Sequence, residues 1–315
     1  MRTRTKAVLL APALALGLAS TACNQVATLK AQMAFKDANA AYQANDYKRA
    51  IEKYKETLEK KPDLAVAYFY LANSYDNLYK PARKGEAQND QYLQQAVTYY
   101  KKATETITEP KLRKLSYEYL VATYGPDKLN DPSQSEPILQ KMIQMEPDEP
   151  ANYILLSKIY EDAGNYEQAE ATLLKARDQR PKDSSVYMQL AGFYNRQGQF
   201  DKTIKALEDR AAQDPSNPEA YYTIAQYFWD KTFRDFRLKE ADKRDYIARG
   251  IAAADKAIGI KKDYLEAIVY KGLLLRLQAN LEKDRKKQEA LLKEADALRD
   301  RAKALQKTKQ AGAGA

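Results

Sequence analysis

A thirty-four-residue period runs through the middle of this chain and constrains its fold more than any other feature. Each copy carries an aromatic residue, an aliphatic residue, a second aromatic residue, a small residue, a leucine and a proline. Two consecutive copies are Tyr153, Leu156, Tyr160, Ala169, Leu173 and Pro181, then Tyr187, Leu190, Tyr194, Thr203, Leu207 and Pro215. The aromatic and aliphatic positions continue at Tyr221, Ile224 and Phe228. Such a period is typical of helical repeats, in which each helix pair buries its apolar face against its neighbours.

The segment 150–183 is the clearest copy of the repeat. Its two helical stretches are separated by the turn Gly164-Asn165-Tyr166. Small residues at Ser157, Ala169 and Ala176 allow the paired helices to approach closely, and Pro181 ends the second helix because proline lacks an amide hydrogen. This pattern resembles the tetratricopeptide repeat.

The resemblance implies an all-α fold, a right-handed superhelical solenoid of antiparallel helix pairs with about seven repeats over residues 31–305. Two insertions interrupt the frame, near 80–90 and 230–245. We expect the first to be a mobile loop and the second to extend the second helix of its unit backward. The end of the chain, 306–315, lacks periodicity and is predicted to be a disordered tail.

The start of the chain has the organisation of a secretory signal peptide at 1–22. It combines a basic stretch, an apolar stretch and a small-residue cleavage region, which are Arg2, Arg4 and Lys6, then Ala7 to Ala19, then Ser20-Thr21-Ala22. The only cysteine, Cys23, follows directly. This arrangement resembles a bacterial lipoprotein signal, which implies that Cys23 is the lipid attachment site and that 23–30 links the anchor to the repeats.

The lipoprotein resemblance also implies a location. Asn24, the residue after the cysteine, favours the outer membrane with the protein facing the periplasm. Ser20 departs from the pattern, because lipoprotein signals favour leucine at this place. The alternative is ordinary cleavage after Ala22, which leaves a soluble periplasmic protein with a free thiol.

The composition argues against several classes of function. The chain has no histidine and no second cysteine, which removes the commonest general base, the usual zinc ligands and a cysteine nucleophile. We therefore expect no enzyme activity, no metal and no cofactor. The formal charge of +9 falls to +6 without the three basic residues of the signal peptide, and the remaining charges of both signs are mixed along the helices. That mixture is typical of solvated helix faces and predicts no nucleic-acid partner.

The resemblance places binding on the concave groove that is lined by the first helix of each repeat. The predicted groove residues mix aromatic, amide and charged side chains, a mixture that suits an extended peptide or a partner helix. They are Phe35, Asn39, Phe69, Asn73, Lys158, Met188, Asn195, Arg196, Tyr222, Gln226 and Trp229.

Trp229, the only tryptophan, has two interpretations. It follows the core position Phe228, so a helix turns it about 100° away from the buried seam and toward the groove. It is then either a binding anchor or a residue that packs under the insertion at 230–245.

These observations predict a non-catalytic scaffold of the bacterial cell envelope. It is lipid-anchored and holds peptide segments or partner proteins in the groove of its repeats. The alternative is a soluble periplasmic binding module for a small ligand or a cell-wall fragment.

Overall fold

The computed structural model describes the backbone of residues 12–313 and the side chains of residues 25–310. This part of the chain forms fourteen α-helices and no strand, so the predicted all-α fold is confirmed. The side chains of the predicted signal peptide and of Cys23, the predicted lipid attachment site, lie outside the described residues, as does the backbone of residues 1–11. Within the described residues, no helix combines the length and the apolar character needed to span a bilayer.

The helices follow one another with short connections. They are α1 Pro12–Gln43, α2 Tyr47–Lys60, α3 Ala65–Leu78, α4 Ala87–Thr106, α5 Pro110–Tyr124, α6 Pro132–Met145, α7 Pro150–Asp162, α8 Tyr166–Gln179, α9 Ser184–Arg196, α10 Phe200–Gln213, α11 Pro218–Arg234, α12 Glu240–Ile260, α13 Leu265–Leu281 and α14 Arg285–Ala313. Each odd-numbered helix packs against the even-numbered helix that follows it, which gives seven pairs in the described chain.

The pairs belong to two compact units. The first unit ends at Glu146 and contains the three pairs from α1 to α6, and the second begins at Pro147 and contains the four pairs from α7 to α14. Within each unit, the second helix of a pair also packs against the first helix of the next pair. This is how a repeat that cannot bury its own apolar face becomes stable.

The turn inside several of the pairs contains one residue with a left-handed backbone. Gly164 and Gly198 have φ angles of +76° and +71°, and Asn45 has +58° at the matching place in the first pair. Glycine and asparagine adopt this conformation at low cost. The next helix then starts two residues later, at Tyr47, Tyr166 or Phe200.

Small side chains line the contacts between paired helices, as the repeat pattern predicts. Ala169 and Ala176 are fully buried and Ser157 is 5% exposed. In the first unit, Ala50 and Ala103 are likewise fully buried. Because these residues add little bulk, the helix backbones lie close together and the larger tyrosine and leucine side chains fill the layer between them.

The two insertions differ from the prediction in detail. The segment 80–90 is not a loop throughout, because α4 already begins at Ala87. The buried side chain of Asn89 holds the remaining turn, donating to the carbonyl oxygens of Lys80 and Arg83 and accepting from the Lys80 amide. At the segment 230–245, α12 begins early as predicted, and α11 also continues further than predicted.

The predicted disordered tail at 306–315 differs from the structure and is corrected. Helix α14 continues to Ala313, so most of this segment is helical. The reason is local, because lysine, glutamine and alanine are good helix formers and proline is absent from the segment. Absence of apolar periodicity therefore did not indicate absence of helix here.

Candidate functional site

Five aromatic side chains of α11, α13 and the turn before α13 contact one another in sequence. We call them the aromatic row. They are Tyr264, Tyr222, Tyr270, Trp229 and Phe233. Three of the five come from α11 at spacings of seven and four residues, which places them on one side of that helix.

Tyr222 connects the two rings that come from the last repeat. Its ring centroid lies 5.8 Å from that of Tyr264 and 5.5 Å from that of Tyr270, with interplanar angles of 69° and 56°. Tilted and edge-on contacts at this distance are favourable for aromatic rings. The three tyrosines therefore hold each other in fixed positions while remaining half-buried.

Trp229 is the centre of the other half of the row. Its ring stacks on Phe233 at 5.0 Å with an interplanar angle of 10°, and it meets Tyr270 edge-on at 5.5 Å. One side of Trp229 packs on a buried cluster that includes Leu274, and yet the residue is only half-buried. Phe233 from the insertion covers one side of the Trp229 ring, as the packing interpretation expects, and the rest of the ring still reaches solvent. A role of Trp229 as a binding anchor stays a prediction.

Burial helps to keep the hydroxyls of Tyr222 and Tyr264 protonated. It is the largest cause that raises the pKa of Tyr222 and of Tyr264, and the carboxylate of Glu266 raises both further. At neutral pH these hydroxyls can therefore donate hydrogen bonds. Gln226 lies on α11 between Tyr222 and Trp229, is half-buried, and adds an amide to the same face.

An apolar cleft of about 490 Å³ adjoins the row between α13 and α14. Tyr270 lines both features, and the cleft walls also include Val269 and Leu273. Arg276 and Arg299 lie among the lining residues, and both pair with Asp296. The row and the cleft together form a mainly apolar surface with hydrogen-bonding groups at its edges.

Two predicted groove residues in the first unit are buried, and the prediction that they bind a ligand in an open groove is corrected. Phe69 is 4% exposed and Asn73 is 3% exposed. Asn73 accepts a hydrogen bond from the Tyr42 hydroxyl at 2.6 Å and donates to the Tyr100 hydroxyl at 3.0 Å. The ring of Tyr119, which belongs to the next repeat, packs edge-on against Phe69 with a centroid distance of 5.6 Å. Both Phe69 and Asn73 are therefore packed against neighbouring tyrosines.

The other two predicted residues of the first unit support the same core. Asn39 accepts a hydrogen bond from the buried Tyr54 hydroxyl at 2.7 Å. The ring of Phe35 lies 5.9 Å from that of Tyr54. Burial raises the pKa of Tyr54, so its hydroxyl stays protonated and donates. Both residues are half-buried and act mainly in positioning α2.

The predicted charged residues of the second unit form ion pairs. Arg196 of α9 donates two hydrogen bonds to Glu161 of α7, at 2.7 and 2.9 Å, and this pairing holds the pKa of Glu161 below its ordinary value. Lys158 pairs within α7 with the exposed Asp162 at 2.6 Å.

The last two predicted residues of the second unit lie outside the aromatic row. Met188 is half-buried on α9. Asn195, also on α9, is exposed and lines a separate cleft with Phe236. The structure therefore brings three of the predicted residues, Tyr222, Gln226 and Trp229, together with the aromatic row.

The prediction did not include Tyr264, Tyr270 and Phe233. The sequence does indicate a position for Tyr270. When Gly272 of the last repeat is aligned with Ala225 of the repeat before it, Ile268 takes the first core position. Tyr270 then lies two residues after that position. Tyr119 holds the same place in its repeat and contacts the preceding repeat in the same way. Aromatic residues at this place therefore mark contacts between repeats.

No group of three or more metal-binding side chains occurs in the described part of the chain. What the site offers is a surface of aromatic rings, hydroxyls and an amide, which suits recognition by packing and hydrogen bonding.

Helix pairs that repeat at a fixed period and bury their faces against one another define a helical-repeat protein. Family models of the tetratricopeptide repeat match residues 35–80, 128–192 and 184–227. Residues 35–80 and 128–227 therefore carry tetratricopeptide repeats. No curated protein matches the sequence significantly.

Several solved structures are similar to this chain. The C-terminal part of a TPR repeat-containing protein from Cytophaga hutchinsonii is 17% identical, with a TM-score of 0.54 over 84% of this chain and 95% of that chain. A tetratricopeptide repeat protein from Parabacteroides merdae is 15% identical, with a TM-score of 0.45 over 85% and 99%. The MamA protein is 17% identical, with a TM-score of 0.45 over 59% and 92%. The likeness to the Cytophaga protein supports the fold alone.

Proposed function

We propose that this chain is a non-catalytic scaffold that holds a peptide segment or a partner helix against the aromatic row. The single observation that supports the proposal is the continuous contact of five rings, of which Trp229 remains half-buried and Phe233 is 54% exposed. Aromatic side chains that are fixed by their neighbours lose little entropy when a partner packs on them.

The chemistry of the surface favours a peptide. Trp229 and Phe233 offer flat apolar area to a partner side chain, as anchors at protein interfaces do. The protonated hydroxyls of Tyr222 and Tyr264 can donate to backbone carbonyls, and the Gln226 amide can both donate and accept. Such an alternation of apolar contact and backbone hydrogen bonding is how extended peptides are recognised.

Affinity capture with matched variants tests the binding surface. We expect Trp229→Ala and Tyr222→Ala each to weaken recovery of the partner by about tenfold or more, because each removes an anchor ring. Tyr166→Ala is the control, since Tyr166 is 49% exposed on α8 and does not belong to the aromatic row. Equal recovery by all three variants would contradict the proposal.

We further propose that the scaffold works in the bacterial cell envelope, anchored by lipid on Cys23 at the periplasmic face of the outer membrane. The support comes from the sequence, which places the only cysteine directly after a signal-peptide pattern. Two or more acyl chains on one residue are sufficient for stable membrane attachment.

Mass spectrometry of the mature N-terminus tests the anchor. We expect a chain that begins with an acylated Cys23 and that enters the detergent phase of a detergent partition. An unmodified N-terminus at Cys23, with the protein in the aqueous phase, would instead support a soluble periplasmic binding protein.

A further inference from the structure

The turn between α11 and α12 carries the most exposed large apolar side chain in the described part of the chain. Phe236 is 87% exposed, and Phe233, three residues earlier at the end of α11, is 54% exposed. We call residues 233–239 the phenylalanine tip. Phe233 also ends the aromatic row, whereas Phe236 has no ring contact with it among the described aromatic pairs.

The charges of the tip are predominantly positive at its surface. Arg234 and Arg237 have side chains that are 74% and 92% exposed, and Lys239 is exposed as well. Each arginine has one carboxylate neighbour, Asp230 for Arg234 and Asp235 for Arg237. Because the guanidinium groups stay largely in solvent, they remain available to an anionic surface.

The tip has a fixed shape that presents Phe236 outward. Asp235, the only acidic residue of the tip, has a side chain that is 17% exposed. Its carboxylate accepts hydrogen bonds from the Lys231 ammonium at 2.9 Å and from the backbone amide of Arg237 at 3.0 Å. The acid of the tip is therefore used internally, and the outward side is left to aromatic and cationic groups.

We propose that the phenylalanine tip inserts into the interface of an anionic lipid bilayer. Phe236 and Phe233 would enter the boundary between headgroups and acyl chains. The long side chains of Arg234, Arg237 and Lys239 would reach the lipid phosphates. The proposal does not rest on peptide binding by the aromatic row.

Lipid is favoured over a protein partner by the way the rings are presented. A protein interface needs a contiguous apolar patch with a packed centre, whereas the ring of Phe236 projects on a turn between cationic residues. Aromatic residues flanked by arginine and lysine are typical of segments that lie in the membrane interface. The cationic side chains can extend toward the phosphates while their methylene groups follow the apolar rings.

A single-tryptophan reporter tests the proposal at the tip itself. The chain has one tryptophan, so Trp229→Phe combined with Phe236→Trp moves the only indole to the tip and keeps both rings aromatic. The matched control is Trp229→Phe with Tyr166→Trp, which places the indole on α8. Both are full-length chains that carry Cys23→Ser, so that neither has an acyl anchor and both share the same N-terminus.

The probe is a vesicle of phosphatidylglycerol and phosphatidylcholine with brominated acyl chains, at low ionic strength. We expect the indole at position 236 to shift its emission to the blue and to be quenched about twofold or more, and the indole at position 166 to be unaffected. Replacing Arg234, Arg237 and Lys239 by glutamine in the reporter should weaken vesicle binding at least about tenfold.

An indole at position 236 that shows no quenching, whether or not the chain binds the vesicles, would overturn the proposal and leave the tip to a protein partner. Quenching at position 236 that is matched at position 166 would overturn it as well, because the contact would then not be specific to the tip. Neither result bears on the aromatic row, since no peptide is present. Circular dichroism and thermal unfolding of each reporter establish that it is folded.

Discussion

Asn73 shows how a residue type that suits a binding groove can be used by the core instead. The repeat frame places it on the groove side of its helix, but it lies between Tyr42 and Tyr100 and bonds to both hydroxyls. The sequence could not reveal this, because the partners are 31 and 27 residues away and depend on how neighbouring helices pack. Burial raises the pKa of Tyr100, whose hydroxyl therefore remains protonated.

The first prediction concerns this hydrogen-bond network. Asn73→Ala should lower the free energy of unfolding by about 2 kcal/mol, because it leaves two buried or half-buried tyrosine hydroxyls without a partner. Asn77→Ala is the matched control, since the exposed Asn77 only donates into Asn73, and it should cost less than about 1 kcal/mol. Urea unfolding measures both, and equal effects would show that Asn73 is not a buried support.

The second prediction concerns the ion pair of Glu161 with Arg196 and its dependence on pH. The pairing lowers the pKa of Glu161 from an ordinary value of 4.5. A carboxylate with a lowered folded-state pKa contributes stability that is present above the unfolded pKa and is lost as the pH falls through the folded pKa. At pH 7, Glu161→Gln should therefore cost about 0.5–1 kcal/mol, a modest amount because Arg196 is half exposed.

Unfolding curves over a range of pH test this prediction. The difference between Glu161→Gln and the parent chain should stay constant down to about pH 5 and shrink below pH 4.5. Asp162→Asn, which alters an exposed pair on the same helix, should change stability by less than about 0.5 kcal/mol. A difference that grows toward acid pH would refute the assignment.

At the scale of elements, the repeat frame predicted helices better than it predicted their ends. The turn at Gly164 and the small residues Ala169 and Ala176 were sufficient to place helices within that repeat, because each has a local cause. Segments that do not fit the thirty-four-residue repeat carry no comparable sequence feature that indicates where a helix begins or ends. Helix α14 therefore extends into the predicted tail, and α4 begins inside the predicted loop.

The third prediction uses two glycines of α12 that differ only in their surroundings. A Cβ on Gly250 would lie 3.0 Å from both Phe228 of α11 and Leu274 of α13, two buried side chains, whereas a Cβ on Gly259 would meet nothing within 4 Å. Gly250→Ala should destabilise the protein by about 1–2 kcal/mol despite the better helix propensity of alanine.

Gly259→Ala is the control for that helix. It should leave stability unchanged or raise it by up to about 1 kcal/mol, because only the helix propensity changes. Urea unfolding of the two variants compares them directly. If Gly250→Ala were as stable as Gly259→Ala, the result would contradict the close packing of α11, α12 and α13 around Gly250.

For the molecule as a whole, the sequence identified the kind of surface more reliably than its location. Tyr222, Gln226 and Trp229 were predicted from one repeat and lie together, because they share one helix. Their partners Tyr264 and Tyr270 belong to the next repeat, after an insertion that breaks the thirty-four-residue period. Only the packing of α11 against α13 shows that the row continues across both.

The central claim is that a partner packs on the aromatic row, and cross-linking in intact cells tests it most directly. A photoreactive residue at position 222 should capture a discrete partner, and Trp229→Ala in the same chain should reduce the yield by about tenfold. The same photoreactive residue at position 166 should capture none of this partner. Absence of a product from position 222, or a yield that Trp229→Ala leaves unchanged, would contradict the account.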